Sequence, residues 1–171
     1  NLTAIFGPIV EANPTNFELA KKTFNLLKAN KCSNLSLYRE TGEVVFENEP
    51  SSDLAYDLAK ILSNLGNFKK SEYYYKQVIE LETDSVNKSG YLLEYAQMVG
   101  REFNNPEQSR SLALQAVKIN PGFGHAYIHI GHLYAGEKNC GGDDFAKKTV
   151  FWAAVDMFAK AKQVDPSLTD D

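Results

Sequence analysis

The chain has few cysteines and no long hydrophobic run. Only two of its 171 residues are cysteine and one is tryptophan. No apolar stretch approaches the ~18 residues that a transmembrane helix needs, so we predict no membrane span. The first residues, NLTAIFGPIVEANP, lack the basic start and the long apolar core of a signal peptide, and the chain does not begin with Met. We therefore expect a fragment or a mature product. Its localisation stays open, with an exported or periplasmic place in a bacterium as one option.

An excess of basic residues is also missing. Lys and Arg number 18 against 22 Asp and Glu, which gives a formal net charge of −4. Binding to a phosphate backbone depends on a clustered basic surface, so we expect no nucleic acid partner. Hydrophobic residues make up 43% of the chain and charged residues 23%, which is typical of a globular protein with a real core.

Three segments of the chain end alike. YYYKQVIELETD, SLALQAVKINPG and DMFAKAKQVDPS each show a helical pattern that closes on an aliphatic residue, a polar residue and usually Pro. Proline cannot continue a helix and also restricts the residue before it, so these positions predict helix ends. The predicted ends lie at Pro14, at Pro50, near Thr83, at Pro121 and at Pro166. Similar intervals separate them, and the last two are longer.

Between these ends the pattern is that of two amphipathic helices. In SSDLAYDLAKILSNLGNFKKSEYYYKQVIEL, Leu54, Leu58, Ile61 and Leu65 recur at helical spacing, and Gly66 suits a turn after the first helix. Strand patterns are nearly absent, since EVVFE has the composition of a strand but lies at the end of a helical unit. The sequence therefore predicts an all-α fold built of helix–turn–helix units.

The spacing of small and aromatic residues in these units resembles the tetratricopeptide repeat (TPR) family, whose pattern is W-x2-L-G-x2-Y, then A-x3-F-x2-A, then Pro. The last unit matches best, through Ile130, Gly131, Tyr134, Ala154, Phe158, Ala161 and Pro166. The resemblance implies a right-handed α-solenoid with repeats at 16–51, 52–86, 87–122 and 123–168, preceded by the end of another repeat at 1–15. The last repeat carries an inserted loop at 136–145. Because small residues let helices approach closely, we expect Gly131 and Ala154 to lie at a close helix crossing.

The inserted loop and the helix after it resemble one group of uncharacterised bacterial TPR proteins. In that group a Cys-Gly-rich loop precedes a long helix with a Tyr/Phe-Trp-Ala-Ala-Val-Asp stretch, which corresponds to residues 151–156 of this chain. The resemblance implies an exported scaffold protein and does not indicate an activity.

All three histidines lie in HAYIHIGHLYAGEKNCGGDDF, residues 125–145, which is the stretch that looks most like a chemical site. His125, His129 and His132 stand at i, i+4 and i+7, on the helix face opposite an apolar stripe. Histidines at i, i+4 can chelate zinc, and Cys140 and two aspartates follow in the loop. A structural zinc site normally takes ligand pairs from two elements, and the loop lacks the alternating acidic residues of a calcium site. We therefore predict no metal and no cofactor, and interpret the histidines as polar groove residues.

A catalytic Cys–His pair is also disfavoured. Cys140 and His132 could approach each other across the loop, but no third orienting residue and no oxyanion device accompany them. Cys32 and Cys140 are expected not to form a disulfide, because they lie in the first and last units with several helices between them. We predict that the chain is not an enzyme.

The expected function is that of a scaffold that binds a protein or peptide on the concave surface, which the first helix of each repeat lines in a TPR array. The predicted groove residues are Asp53, Asp57, Lys60 and Asn64 in the second unit, Glu94, Gln97 and Arg101 in the third, and His125, His129 and His132 in the last. Those off the apolar stripes, Asp57 and His129 among them, are expected to be dispensable for folding. The Lys and Arg cluster that clamps a C-terminal carboxylate in chaperone-binding TPR proteins is missing, so the partner is not of that kind.

Two alternatives stay open. One is a metal-binding or enzymatic site around His125, His129, His132 and Cys140. The other is an oligomerisation module that packs through the repeat ends, since a terminal repeat without a polar cap leaves apolar surface exposed.

Two aromatic runs, at residues 73–75 and 151–152, are divided by helix geometry, because consecutive residues point in different directions. We expect core packing for Tyr74 or Tyr75 and for Phe151. One exposed member of each run would then be available to a partner.

Overall fold

The computed structural model describes residues 2–137 and 144–168, except for the side chains of residues 144, 146 and 147. Within these residues the chain forms nine α-helices and one short 3-10 helix, and no strand. The α-helices are α1 Leu2–Ala12, α2 Phe17–Ala29, α3 Ser36–Asn48, α4 Ser52–Asn64, α5 Phe68–Leu81, α6 Ser85–Glu102, α7 Pro106–Ile119, α8 Gly124–Gly136 and α9 Asp144–Val164. The 3-10 helix is Pro166–Leu168. None of the helices in the described part of the chain is long and apolar enough to cross a membrane.

The first of two compact units ends at Leu81 and contains α1 to α5. In it α2 packs against α3 and α4 packs against α5 as helical hairpins, and α3 also contacts α4. Ser71 in α5 donates a hydrogen bond of 2.8 Å to the carbonyl of Ala59 in α4, so a small side chain brings the two helices close together. The largest fully buried side chains of this unit include Leu27, Tyr38, Leu58, Leu62 and Val78.

The second unit begins at Glu82 and contains α6 to α9 and the 3-10 helix. Here α6 packs against α7, and α8 packs against both α7 and α9. The buried apolar side chains of this unit include Leu92, Tyr95, Val99, Ala113 and Ile130.

The predicted helix ends are confirmed. The helices α1, α3, α5, α7 and α9 end at Ala12, Asn48, Leu81, Ile119 and Val164, each two residues before a predicted position. At four of the five ends a proline stops the helix, as its missing N–H requires. At the fifth, the carboxylate of Glu82 accepts hydrogen bonds of 2.9 Å from the backbone N–H groups of Thr83 and Asp84, which turns the chain without a proline.

Two glycines have structural roles, one in a turn and one at a close helix contact. Gly66 has a φ of +73°, in the left-handed region that glycine adopts without a steric penalty, and it lies in the turn from α4 to α5. Gly131 in α8 lies against the ring of Phe158 in α9, where an added Cβ atom would be 2.6 Å from Cε1 of that ring. The close helix crossing predicted at Gly131 is therefore confirmed, and Ala154 of α9 is 1% exposed.

The tyrosine run in α5 is divided between core and surface. Tyr74 is 4% exposed and Tyr75 is 3% exposed, so the predicted core packing is confirmed. Tyr73 is 51% exposed. Burial raises the pKa of the Tyr74 hydroxyl, and the nearby Glu43 raises it further.

The second aromatic run differs from its prediction. Phe151 was expected in the core, but it is 63% exposed, and Trp152 beside it is 54% exposed. Among the side chains of α9 that the structure describes, the buried ones are the small Ala154 and Ala161. The ring of Phe158, two turns further along α9, takes the place against Gly131 of α8, while Phe151 stays exposed, so the prediction for Phe151 is wrong.

Candidate functional site

The ten predicted groove residues lie on the three helices α4, α6 and α8. The residues are Asp53, Asp57, Lys60 and Asn64 on α4, Glu94, Gln97 and Arg101 on α6, and His125, His129 and His132 on α8. Their spacing of three and four places each set on one face of its helix. The α4 set belongs to the first unit, and the other two sets belong to the second.

Asp57 is tied into the fold of the first unit. The hydroxyl of Tyr38, a residue that is 1% exposed, donates a hydrogen bond of 2.9 Å to Oδ2 of Asp57. Burial raises the pKa of the Tyr38 hydroxyl, and the hydrogen bond to Asp57 raises it further. Leaving such a hydroxyl unpaired would cost about 1–3 kcal/mol. The expectation that Asp57 is dispensable for folding is therefore wrong.

The other α4 residues do not form one cavity. Asp53 and Lys60 are exposed, and the Lys60 ammonium lies 5.8 Å from the centroid of the Tyr56 ring. Asn64 lines a cavity of about 470 Å³ together with Arg39 and the turn at residues 33–36. Neither Asp53 nor Lys60 lines that cavity.

An open cavity of about 340 Å³ lies between α6 and α8 in the second unit. Five of the predicted residues line it, namely Glu94, Gln97, His125, His129 and His132. Its other lining residues are Gly90, Leu93, Phe123 and Ile128. We call this cavity the α6–α8 pocket. Arg101 does not line it, and its Nε instead contacts the carboxylate of Glu102 at 2.5 Å.

A buried serine joins the three helices behind this pocket. Ser109 in α7 is 0% exposed and donates a hydrogen bond of 2.7 Å to the carbonyl of Ala96 in α6. Its Oγ also lies 2.8 Å from Nε2 of His129 in α8. Gly100 in α6 leaves the space for this contact, because a Cβ atom there would be 3.0 Å from the Ser109 Oγ.

These contacts determine which ring nitrogen of His129 carries a hydrogen. The Ser109 hydroxyl has one hydrogen, which goes to the Ala96 carbonyl, so Nε2 of His129 must donate to the serine oxygen. Burial lowers the pKa of His129, and the neighbouring His132 lowers it further. At neutral pH the ring is therefore uncharged, with its hydrogen on Nε2 and an acceptor at Nδ1. Because His129 donates to a buried serine of another helix, we expect its replacement to destabilise the fold, contrary to the prediction that it is dispensable.

The three histidine rings have different partners. The His125 ring lies 6.2 Å from the centroid of Phe123, and the His132 ring lies 5.3 Å from the centroid of Phe158, both edge to face. Across residues 2–137 and 144–168, no group of three or more His, Cys, Asp or Glu side chains could hold a metal ion. Cys140, which belonged to the alternative metal or catalytic cluster, lies outside the described residues. The absence of a metal and of a cofactor stays a prediction.

Four lining residues were not predicted from the sequence. Gly90 stands four residues before Glu94 on the same helix face, and Ile128 stands four before His132, so the helical period would have found both. The sequence pattern does not predict that Leu93 and Phe123 line the pocket. An apolar side chain next to the apolar stripe of a helix can equally well face the core.

The α4–α5 hairpin matches a known repeat family. A family model described as "Tetratricopeptide repeat" matches residues 52–85. This hairpin is thus a tetratricopeptide repeat, and the predicted resemblance to the TPR family is confirmed. No curated protein sequence matches the chain.

The chain is also similar in three dimensions to several solved structures. The chain is similar to MamA, at 18% identity over 95% of this chain and 85% of that one, with a TM-score of 0.66. A further MamA structure shares 17% identity over 95% of this chain and 80% of that one, with a TM-score of 0.64. YrrB, described as "a TPR protein with an unusual peptide-binding site", shares 17% identity over 96% of this chain and 77% of that one, with a TM-score of 0.63. At these identities the likeness concerns the fold, and it confirms the predicted class, an all-α solenoid of helical repeats.

Proposed function

We propose that this chain is a protein-interaction module that binds an extended peptide segment in the α6–α8 pocket. The observation that carries the proposal is the convergence of five polar side chains from two helices on one open cavity of about 340 Å³. The family match and the peptide-binding site described for YrrB support the same class of function. The scaffold is proposed to be non-enzymatic, as its family generally is.

The pocket offers what a peptide backbone requires. Leu93 and Ile128 form an apolar wall of the pocket. A hydrophobic side chain of the peptide that packs on this wall would be removed from water. Gln97 is exposed and carries both a donor and an acceptor, which suits the alternating N–H and C=O groups of an extended chain. Because Nε2 of His129 donates to Ser109, its Nδ1 is left to accept a hydrogen bond.

The charge of the pocket restricts the peptide further. Among the lining residues, Glu94 is the one carboxylate, and His129 is uncharged at neutral pH because burial lowers its pKa. Glu94 therefore contributes a formal negative charge to the pocket. We propose that the bound segment pairs a hydrophobic side chain with a neighbouring Lys or Arg.

The groove residues predicted on α4 belong to the first unit and are proposed as contacts of that unit by itself. Its residues Asp53, Lys60 and Asn64 remain proposed contacts for a partner. Asp57 is proposed as a contact only through the part of its carboxylate that Tyr38 does not use.

Selection from a random peptide library tests the proposal. Peptides of 12 residues displayed on phage would be selected on the purified chain, and the affinity of the enriched peptides would be measured by calorimetry. Gln97→Ala and Glu94→Gln should each weaken binding at least fivefold, since a well-placed interface residue contributes more than about 1 kcal/mol. Lys118→Ala, an exposed change on α7 outside the pocket, is the matched control. Enriched peptides that bind all three variants equally, or no enrichment at all, would contradict the pocket assignment.

A further inference from the structure

A largely apolar stripe runs along the exposed side of α9. It consists of Phe145, Lys148, Trp152, Val155, Ala159 and Lys162, whose spacing alternates between three and four residues. All six are exposed, with Phe145 at 64%, Trp152 at 54% and Val155 at 47%. Alternation of three and four is the spacing with which one helix packs along another in a coiled coil. We call these six residues the α9 seam.

The two halves of the α9 seam differ in shape. In the first half the ring of Phe145 packs edge to face on Trp152, with centroids 6.3 Å apart, so the two aromatic side chains form a ridge. In the second half a cavity of about 530 Å³ opens beside the seam residues Val155, Ala159 and Lys162. Its remaining walls are Ile128, His132, Phe158, Ala161 and Leu168. A ridge and a hollow thus lie on one surface.

We propose that the α9 seam is a self-association surface on which two copies of this chain pair their α9 helices in antiparallel orientation. An antiparallel pair places the aromatic ridge of each copy on the hollow of the other, so one surface serves both partners, as a two-fold symmetric interface requires. In this register Trp152 of one copy lies opposite Val155 of the second copy. Lys148 lies opposite Ala159, and Phe145 lies opposite Lys162.

The charges of the seam favour this orientation. A parallel pair would place Lys148 against Lys148 and Lys162 against Lys162, and like charges in direct opposition repel each other. The antiparallel pair separates them and puts each Lys162 ammonium over the face of a Phe145 ring, which attracts a cation. It also brings Lys148 diagonally within reach of Asp156, which is exposed on α9.

The area of the seam sets the strength of the contact. Aromatic side chains can each bury 150–250 Å², so the exposed parts of Phe145 and Trp152, together with Phe151 beside the seam, offer on the order of 400 Å² per copy. A standard interface buries about 800 Å² per partner, which places this one at the weak end. We therefore expect a reversible dimer that dissociates in the micromolar range.

The single tryptophan of the chain lies in the seam, so association can be followed directly. Sedimentation equilibrium of the 171-residue chain from 1 to 300 µM should show the mass rising from 19.1 kDa towards twice that value. Over the same range the emission of Trp152 should shift to the blue and become less accessible to acrylamide. A mass of one chain and unchanged emission up to 300 µM would overturn the proposal, and a partner of another kind would then be the occupant.

Three variants test whether the dimer forms through the α9 seam and whether the two helices are antiparallel. Trp152→Gln should raise the dissociation constant at least tenfold. Ala159→Glu should preserve or tighten the dimer up to about fivefold, because the new carboxylate lies opposite Lys148 of the second copy in the antiparallel register. Leu114→Gln, which changes an apolar residue that is 45% exposed on α7, is the control and should leave the dissociation constant unchanged.

The outcomes separate cleanly. If Ala159→Glu weakens the dimer, the antiparallel register is wrong. If Trp152→Gln has no effect on a dimeric chain, or Leu114→Gln has the larger effect, the dimer forms through another surface. Circular dichroism of each variant establishes that it is folded, which is expected because all three sites are exposed.

Discussion

The hydroxyl of Ser109 is the contact whose removal we expect to be most informative. It is 0% exposed, donates at 2.7 Å to the Ala96 carbonyl and accepts from His129 at 2.8 Å. Ser109→Ala therefore removes two hydrogen bonds while leaving almost no cavity. Each buried hydrogen bond contributes a net 0.5–1.5 kcal/mol, and the higher helix propensity of alanine returns about 0.5 kcal/mol. We predict that the free energy of unfolding falls by about 1–2 kcal/mol.

Urea unfolding at pH 7.5, followed by circular dichroism, measures this change. The double variant Ser109→Ala with His129→Ala should cost about 1 kcal/mol less than the sum of the single variants, because both remove the same bond. Ser111→Ala, an exposed change on the same helix, should stay within about 0.5 kcal/mol of the unchanged chain. A loss below 0.5 kcal/mol for Ser109→Ala, or strictly additive effects, would refute the idea that this serine joins α6, α7 and α8.

Three further predictions concern pH, packing and the groove. Because burial lowers the pKa of His129 below 6.5, its contribution to stability is complete above pH 6.5 and is lost as the pH falls through the folded-state pKa. Between pH 6.5 and 5 the free energy of unfolding should therefore decrease, by at most about 1.4 kcal/mol per pH unit from this group, and His129→Gln should make the decrease shallower in a urea titration. Gly131→Leu, whose Cβ would press on Phe158, should destabilise by about 1–2 kcal/mol after the gain in helix propensity, and a melting temperature equal to that of the unchanged chain would contradict the close crossing. Lys60→Ala combined with Arg101→Ala should leave folding unchanged and weaken a selected peptide or natural partner in a salt-dependent manner, measured by calorimetry. The control carries alanine at two exposed lysines of the second helices, Lys76 and Lys118. Equal affinity in both double variants would speak against these predicted groove contacts.

The sequence alone determined the class of fold and the places where helices end. Apolar residues such as Leu54, Leu58 and Ile61 recur at the helical period, and this is a property of the local chain. Proline ends a helix by its own covalent structure, whatever it packs against. Gly131 was also found in this way, because a glycine inside an amphipathic helix leaves room for a neighbour. Local physics of this kind can be read without knowing which helices meet.

The candidate site was predicted in part for the same reason. Glu94 and Gln97, like the three histidines, lie off the apolar stripe of their helices, so the helical period assigns them to an outer face. The sequence could not tell that α6 and α8 bring them to one pocket, since the two helices are separated by α7 in the chain.

The tertiary structure decided which of the polar residues the fold requires. Asp57 accepts from a tyrosine in another helix, and His129 donates to a serine in another helix. It likewise decided that Phe151 is exposed, because the ring of Phe158, two turns further along α9, takes the place against Gly131 of α8. A hydrogen bond or a steric fit between helices depends on the distance between two backbones. That distance is set jointly by all the side chains packed between them, so no single helix carries it in its own sequence.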